Sequence, residues 1–162
     1  MSKNLEKLGL KSIINEYDLF FIDIWGVIHN GIKLFENAVK ALDELSNNEK
    51  KFILLTNAPR PNLTVINTLK GMGLNKFSDT VFTSGEASLR FILENFNNKK
   101  FFHLGPPRDF DLFKTFEDNK VINIDDSDYL LCSGLFEDYE DDLEYYKTLL
   151  SKHITKKMIC TN

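Results

Sequence analysis

The stretch Leu19-Phe20-Phe21-Ile22-Asp23 decides the fold, because it is a run of apolar residues that ends in a carboxylate. A run without polar alternation is typical of a strand buried on both faces of a parallel sheet. Residues 51–55 are also mostly apolar and lead directly into Thr56 and Asn57. Such runs alternate along the chain with longer segments of helical period, which predicts an α/β protein with a largely parallel sheet.

Helical periods and capping residues place the other elements. Val39, Leu42 and Leu45 recur at intervals of three, which is typical of the buried face of an amphipathic helix. Thr83 and Glu86 have the spacing of a capping box and predict a helix that begins beside them. The predicted strands are residues 19–23, 51–55, 80–83, 100–104, 121–124, 129–132 and 157–160, and the predicted helices are residues 36–47, 62–72, 84–96, 108–116 and 139–153, after a short amphipathic start at residues 4–15.

Composition and charge exclude several classes of function. With 162 residues, 43% hydrophobic and 27% charged, the chain can bury a core of its own. Its 20 Lys and Arg against 24 Asp and Glu give a net charge of -4, so no basic surplus exists to bind nucleic acid. The apolar runs are far shorter than the roughly 20 residues that span a bilayer, and no secretory sequence is visible. We therefore expect a cytoplasmic protein without a nucleic-acid or membrane partner.

The two cysteines, Cys132 and Cys160, each fall in a predicted buried strand. Neither has a Cys or His at the spacing of metal ligands, so the sequence indicates neither a disulfide framework nor a zinc site. We expect both to be small core residues.

The last predicted strand is followed only by Thr161 and Asn162, whereas a βα pattern would continue with a covering helix. This pattern predicts that the polypeptide is a fragment of a longer reading frame. A C-terminal edge strand is the alternative interpretation.

Polar residues at the carboxyl ends of the first two strands are the candidates for a functional site, because ligands bind at that end of parallel sheets. Asp23, at the end of an apolar strand, is suited to bind Mg²⁺ or to attack phosphorus. Thr56 and Asn57 offer a hydroxyl and an amide, and the backbone N–H groups beyond them can hold phosphate oxygens. The alternative for Asp23 is a carboxylate that only caps the following loop.

These residues carry a resemblance to a known family. Phe-Phe-Ile-Asp-Ile-Trp-Gly-Val-Ile at residues 20–28 resembles motif I of the haloacid dehalogenase (HAD) superfamily, and Leu-Leu-Thr-Asn at residues 54–57 resembles motif II. The Thr-Ser-Gly-Glu turn at residues 83–86 and the final Thr-Asn resemble the class IIA, NagD-like branch, which carries a C2 cap. The variant Asp-x-Trp-Gly-Val-x-His-Asn-Gly is similar to a bacterial subgroup of that branch.

The resemblance implies both an architecture and a function. Residues 1–98 would form the N-terminal part of a Rossmann-like HAD core, and residues 99–162 an incomplete C2-type cap. The implied function is a Mg²⁺-dependent phosphatase of a small phosphorylated metabolite. Residues 105–108 and 133–136 are candidate selectivity elements of the cap, with Arg108 available for a second anionic group.

The resemblance also implies roles for single residues. Asp23 would be the nucleophile that forms an aspartyl-phosphate, as well as a Mg²⁺ ligand, and the backbone carbonyl of Trp25 would be a second ligand. Thr56 and the amide of Asn57 would bind the transferring phosphoryl group. Gly26 would let the chain leave the strand in a tight turn.

Two departures from the family pattern weaken the expected catalysis. Trp25 stands where most of these phosphatases have an Asp that serves as general acid and base, a contribution of about 10²- to 10⁴-fold. His29 is one candidate substitute, with a solvent-exposed turn residue or a cap contact as the alternative. Motif III, a Lys, and motif IV, an acidic pair, would lie beyond Asn162. We therefore expect half an enzyme, weak or inactive by itself, with apolar surface exposed beside the first strand.

Other functions remain as alternatives. Trp25 and the missing motifs also favour a non-catalytic phosphate-binding or regulatory domain. A flavodoxin-like or receiver-like domain is less favoured, because a receiver needs an Asp where the third strand ends in Thr83 and Ser84. A serine hydrolase is disfavoured because no Gly-x-Ser-x-Gly sequence occurs.

Overall fold

A computed structural model describes residues 9–162 of the chain. The start of the predicted amphipathic segment lies outside these residues, and its remainder forms two short 3-10 helices, Leu10–Ser12 and Ile14–Glu16. Within residues 9–162 no helix has the length and apolar character needed to cross a bilayer.

The first sheet has three strands in the order β1-β2-β3. Strands β1 and β2 run parallel, with Leu19 opposite Lys51 and Asp23 opposite Leu55. Helices connect the strands and follow the last one, as in βαβ units. The elements are β1 (Leu19–Asp23), α1 (Glu36–Asn47), β2 (Lys51–Thr56), α2 (Asn62–Gly71), β3 (Val81–Thr83) and α3 (Ser84–Asn95).

The second sheet has four strands in the order β5-β4-β6-β7, and all of its pairs are parallel. In chain order, β5 is added on one side of β4, and β6 and β7 are then added on its other side. The elements are β4 (Phe101–Leu104), β5 (Lys120–Val121), β6 (Tyr129–Cys132), α4 (Leu143–Ser151) and β7 (Lys157–Cys160). The α/β class with parallel sheets is therefore confirmed.

The chain divides into two compact units, each with its own core. The described part of the first unit comprises residues 9–56 and 65–82, and the second comprises residues 57–64 and 83–162. Leu42, Leu45, Leu54 and Leu69 are buried in the first core; Phe101, Leu112, Tyr129 and Leu131 are buried in the second. The chain passes from the first sheet to the second between β3 and β4, near the predicted domain boundary at residue 98. Helix α3, which precedes that boundary, belongs to the second unit. The assignment of these parts to a core and a cap stays a prediction.

Strand β1 is not buried on both faces, although its apolar run predicted that it would be. Phe20 and Ile22 pack against the first core, but Leu19 is 44% and Phe21 64% exposed. Among the described residues the face of β1 that carries Leu19 and Phe21 is open to solvent, and β1 is also an edge strand of the described sheet. The expectation that one side of this strand would be unpaired, with apolar surface beside it, is confirmed.

Three further predictions were wrong in part. The predicted helix at residues 108–116 is two 3-10 helices, Pro107–Leu112 and Lys114–Asn119, because the backbone at Phe113 and Phe116 leaves helical geometry. The strand predicted at residues 121–124 ends at Val121, after which the Asn123 side chain caps a 3-10 turn. The helix predicted at residues 139–153 begins only after Asp142, whose carboxylate accepts a hydrogen bond from the backbone N–H of Tyr145.

Helix α3 begins at the predicted capping residue. The hydroxyl of Thr83 accepts a hydrogen bond from the N–H of Glu86 at 2.9 Å and donates to the carbonyl of Arg60 at 2.5 Å. The Glu86 carboxylate turns elsewhere and accepts from the backbone N–H of Asn62 at 3.2 Å. Thr83 is buried, so its hydroxyl satisfies two backbone groups where water has little access.

We expect Thr83→Val to lower the free energy of unfolding by roughly 2 kcal/mol, because the Glu86 N–H and the Arg60 carbonyl both lose their partner. Thr83→Ser keeps the hydroxyl and removes one methyl group, so it should cost only about 0.8 kcal/mol. Urea unfolding followed by circular dichroism at 222 nm measures both values. Equal stability of the Val and Ser variants would show that the hydroxyl contributes nothing.

Candidate functional site

The parallel pairing of β1 and β2 brings the ends of both strands to the same edge of the first sheet. Asp23 pairs with Leu55, so Thr56 is the next residue of the neighbouring strand. Both residues belong to the first unit, and Asn57 is the first residue of the second. The structure thus positions Asp23 and Thr56 through backbone pairing alone, independently of their side chains.

The Asp23 carboxylate is exposed to solvent. Asp23 lies on the same face of β1 as Leu19 and Phe21, which is the open face. Within residues 9–162 the carboxylate accepts no hydrogen bond, so it does not cap the loop that follows it. An anionic group here can be reached from solution, as a nucleophile or a cation ligand must be.

The loop after β1 is held by several backbone hydrogen bonds to a single carbonyl group. The carbonyl of Ile24 accepts hydrogen bonds from the N–H groups of Val27, Ile28 and His29 at 3.3, 2.8 and 3.4 Å. Gly26 has a φ of +76° and donates its N–H to the carbonyl of His29 at 2.9 Å. Since a φ in this region favours glycine, Gly26 allows the chain to turn immediately beyond the strand.

Trp25 covers the loop with its indole ring, although the ring is 65% exposed. The ring meets His29 edge-on, with centroids 5.2 Å apart. A Cβ atom on Gly31 would lie 2.6 Å from Cη2 of Trp25, and Gly31 has a φ of +89°. The backbone conformation therefore favours glycine at position 31, and a Cβ there would displace the exposed end of the indole.

His29 has a structural role in this loop and is not the exposed turn residue that we considered. Its side chain is buried, and its Nδ1 accepts a hydrogen bond from the N–H of Gly31 at 2.8 Å. Burial lowers the pKa of His29 below its usual value of 6.5. At neutral pH the ring is therefore uncharged with its proton on Nε2, and Nδ1 cannot act as a base without breaking the turn.

Asn57 is held within the second unit. Its Nδ2 donates to Oδ1 of Asn162 at 2.5 Å, and the next carbonyl, of Ala58, accepts from the N–H of Gly85 at 3.1 Å. A Cβ on Gly85 would lie 2.3 Å from the backbone nitrogen of Arg60, so the segment after Asn57 packs directly on the start of α3. Sequence reasoning missed Asn162 as the partner of Asn57, although the Thr-Asn pair at the chain's end was noticed.

The oxygen donors at the end of β1 match Mg²⁺ in kind. A carboxylate at Asp23 and a carbonyl at Trp25 are the hard ligands that this cation prefers, usually within a six-coordinate shell. Among residues 9–162 no group of three or more His, Cys, Asp or Glu side chains could hold a metal ion. The two donors would therefore supply only part of the coordination, and water or a phosphate oxygen would complete it.

The second unit contains a separate cleft of about 390 Å³ at the carboxyl end of β4. Both predicted selectivity segments contribute to it, and so does His103, to which sequence reasoning assigned no role. The Nε2 of His103 lies 2.8 Å from Oγ of Ser133, and burial, followed by the charge of Lys120, lowers the pKa of His103 to about 4. Arg108 is engaged in an exposed ion pair with Glu137 at 3.3 Å. The lining residues are His103, Gly105, Pro107, Lys120, Phe136, Glu137, Asp138, Tyr139 and Tyr145.

Comparison with known proteins agrees with the motifs. The sequence profile of a family described as haloacid dehalogenase-like hydrolase matches residues 20–117. A hydrolase of the haloacid dehalogenase-like family from Brucella suis 1330 is 30% identical with a TM-score of 0.78, and the match covers 94% of this chain and 56% of that chain. A 4-nitrophenylphosphatase from Thermotoga maritima is 26% identical with a TM-score of 0.65, covering 93% and 56%.

A protein described as a putative NagD protein is 25% identical with a TM-score of 0.65, covering 91% of this chain and 57% of its own. No protein of curated function matches the sequence significantly. The chain thus spans little more than half the length of the solved structures that it resembles. The resemblance to NagD-like HAD proteins is confirmed.

We expect Gly31→Ala to change the fluorescence of Trp25, which is the only tryptophan in the sequence. The added Cβ would push the indole away from His29, so the emission maximum and intensity should both change. Gly26→Ala is the matched control, because Gly26 also has a positive φ but nothing other than its two chain neighbours lies within 4 Å of its Cβ position. Both variants should lose about 1 kcal/mol or more of stability from backbone strain.

The comparison is made on emission spectra of the folded variants under native conditions. If Gly26→Ala and Gly31→Ala give the same spectrum, the close approach of the indole to Gly31 does not exist in solution.

Proposed function

The chain belongs to the haloacid dehalogenase-like hydrolase family, and from this membership we propose that it carries part of the active site of a Mg²⁺-dependent phosphatase. The substrate class would be a small phosphorylated metabolite. The observation that carries the proposal is the exposed Asp23 carboxylate at the end of β1, one register position from Thr56 on β2. The similarity to the Thermotoga maritima protein, which is named a 4-nitrophenylphosphatase, supports the reaction class.

In the proposed mechanism Asp23 is the nucleophile. One carboxylate oxygen attacks phosphorus, the bond from phosphorus to the leaving oxygen breaks, and an aspartyl-phosphate forms. Water then hydrolyses this acyl phosphate, which releases inorganic phosphate and restores Asp23. The exposure of the carboxylate supports this role, since the attacking oxygen needs no rearrangement to meet a substrate.

Thr56 and Asn57 would bind the phosphoryl group that is transferred. Their hydroxyl and amide groups can donate hydrogen bonds to its equatorial oxygens, where negative charge must be stabilised as the bonds exchange. Mg²⁺, held by Asp23 and the Trp25 carbonyl, would neutralise part of that charge. The chemical character of these donors, rather than a complete set of ligands, supports the assignment.

Trp25 and His29 bear on the choice of substrate. An indole cannot donate a proton to a leaving oxygen at neutral pH, and the Nδ1 of His29 is occupied by the turn. Without a general acid in this loop, the leaving group must depart unprotonated or find its acid elsewhere. We therefore propose a preference for substrates with good leaving groups, such as aryl or acyl phosphates.

The second candidate function is a phosphate-binding domain without turnover. It is favoured by Trp25 in place of a general acid and, among residues 9–162, by the lack of any cluster of three His, Cys, Asp or Glu side chains that could hold a metal ion. The coding DNA downstream of Asn162 distinguishes the two candidates. In-frame or frameshifted codons for a motif III Lys and a motif IV acidic pair would favour the phosphatase, and their absence would favour the binding domain.

We expect the 162-residue chain to bind Mg²⁺ and inorganic phosphate only weakly, on the order of millimolar, because Mg²⁺ would have two protein donors. Trp25 fluorescence can follow the titration. Asp23→Asn should abolish the Mg²⁺-dependent change and EDTA should reverse it, whereas Asp126→Asn, an exposed acid in the second unit, should have no effect. Absence of any Asp23-dependent response would contradict a role for this site in binding phosphate.

Turnover of 4-nitrophenyl phosphate by the same preparation should lie at or near background. The exposed apolar face of β1 should also make the chain associate at raised concentration, which light scattering would detect. Robust Mg²⁺-dependent hydrolysis that Asp23→Asn removes would support the phosphatase and contradict the expected near-background turnover.

A further inference from the structure

The two cysteines of the chain meet at the end of the second sheet. Cys132 ends β6, Cys160 ends β7, and the two are register partners in a parallel ladder. Register partners on parallel strands point to the same face, and neighbouring strands lie about 4.8 Å apart. That separation lies within the range of about 4.4–6.8 Å between Cα atoms that a disulfide requires. The sequence predicted that both are small core residues, which is wrong for Cys160, since it is exposed.

The backbone holds this pair in place beyond the last residue of β7. The N–H of Thr161 donates to the carbonyl of Cys132 at 2.9 Å, and its hydroxyl donates to the same oxygen at 3.3 Å. Thr161 is buried, and its own carbonyl accepts from the hydroxyl of Ser84. The end of β7 is therefore fixed against β6, and the two thiols remain side by side.

The two thiols differ in access to solvent. Cys160 is exposed and its Sγ donates to the carbonyl of Asn162 at 3.0 Å, while Cys132 is half-buried. Burial and the neighbouring Cys160 raise the pKa of the Cys132 thiol to about 11, so it stays protonated at neutral pH. An accessible thiol beside a sheltered second thiol is the arrangement in which a first oxidation can be resolved as a disulfide.

We propose that Cys132 and Cys160 form an oxidation site, which hydrogen peroxide converts from two free thiols to a disulfide between β6 and β7. The Cys160 sulfur attacks one peroxide oxygen, the O–O bond breaks, and water leaves with formation of a sulfenic acid. The Cys132 sulfur then attacks the Cys160 sulfur, the S–O bond breaks, and the departing hydroxide takes the Cys132 proton as a second water. The two thiols lose two electrons and the peroxide gains them.

The test exposes the reduced 162-residue chain to one equivalent of hydrogen peroxide at low micromolar concentration. Remaining thiols are then blocked with N-ethylmaleimide, and digested peptides are mapped by mass spectrometry without reduction. The three methionines also take up oxygen, so the linked peptide rather than the intact mass is the readout. We expect a Cys132–Cys160 peptide that is two hydrogens lighter than its reduced halves, together with loss of both alkylation sites.

The same reaction in concentrated urea is the control for folding. We expect the native chain to form the link at least about tenfold faster, because the sheet holds both sulfur atoms together. Equal rates in the two conditions would overturn the proposal. So would native chains in which Cys160 carries sulfinic acid, or links two chains, while Cys132 still reacts with the maleimide.

Two variants separate the roles of the thiols. Cys132→Ser should stop at a sulfenic acid on Cys160, which dimedone traps, and Cys160→Ser should form neither product. A disulfide-free, dimedone-negative result for Cys132→Ser would contradict Cys160 as the first site of oxidation. The native-chain measurement stands by itself if either variant fails to fold.

Discussion

The parallel ladder between β1 and β2 is the constraint on which the candidate site depends. Five register pairs run from Leu19 opposite Lys51 to Asp23 opposite Leu55, and they fix where each strand ends. A slip of one residue would turn every side chain of β1 to the opposite face, so Asp23 would point into the core and Phe20 would leave it. The other edge of β1 has no partner in the described sheet, and Phe21 on its open face is exposed although the apolar run predicted a buried residue.

Much of the fold could be predicted from sequence because the strands are short, apolar and bounded by clear breaks. The βα rhythm gave the class, and the Thr83 cap gave the start of α3, since a hydroxyl three residues before a carboxylic acid is a local signal. Asp23 and Thr56 could be placed at one sheet edge because parallel strands share their direction. These inferences depend on one or two neighbouring residues, or on rules that hold for any parallel sheet.

What could not be predicted depends on neighbours distant in sequence. The exposure of one face of β1 depends on which elements cover that face, which the residues of the strand itself do not indicate. The rings of Phe113 and Phe116, in the 3-10 turns found after β4 where a helix was predicted, pack on Phe101. Such packing has no periodic signature in the sequence, and neither has the pairing of Asn57 with Asn162.

The contact between Trp25 and Gly31 has a consequence for how this loop can change through evolution. A carboxylate at position 25 would leave the surface over Gly31 uncovered, while any larger residue at position 31 would collide with the indole. The two positions are therefore epistatic, and the order of substitutions matters. A lineage that exchanges Trp25 for an acid would first pass through a loop without its aromatic cover, held by its glycine turns, the hydrogen bonds to the Ile24 carbonyl and the bond from the Gly31 N–H to His29.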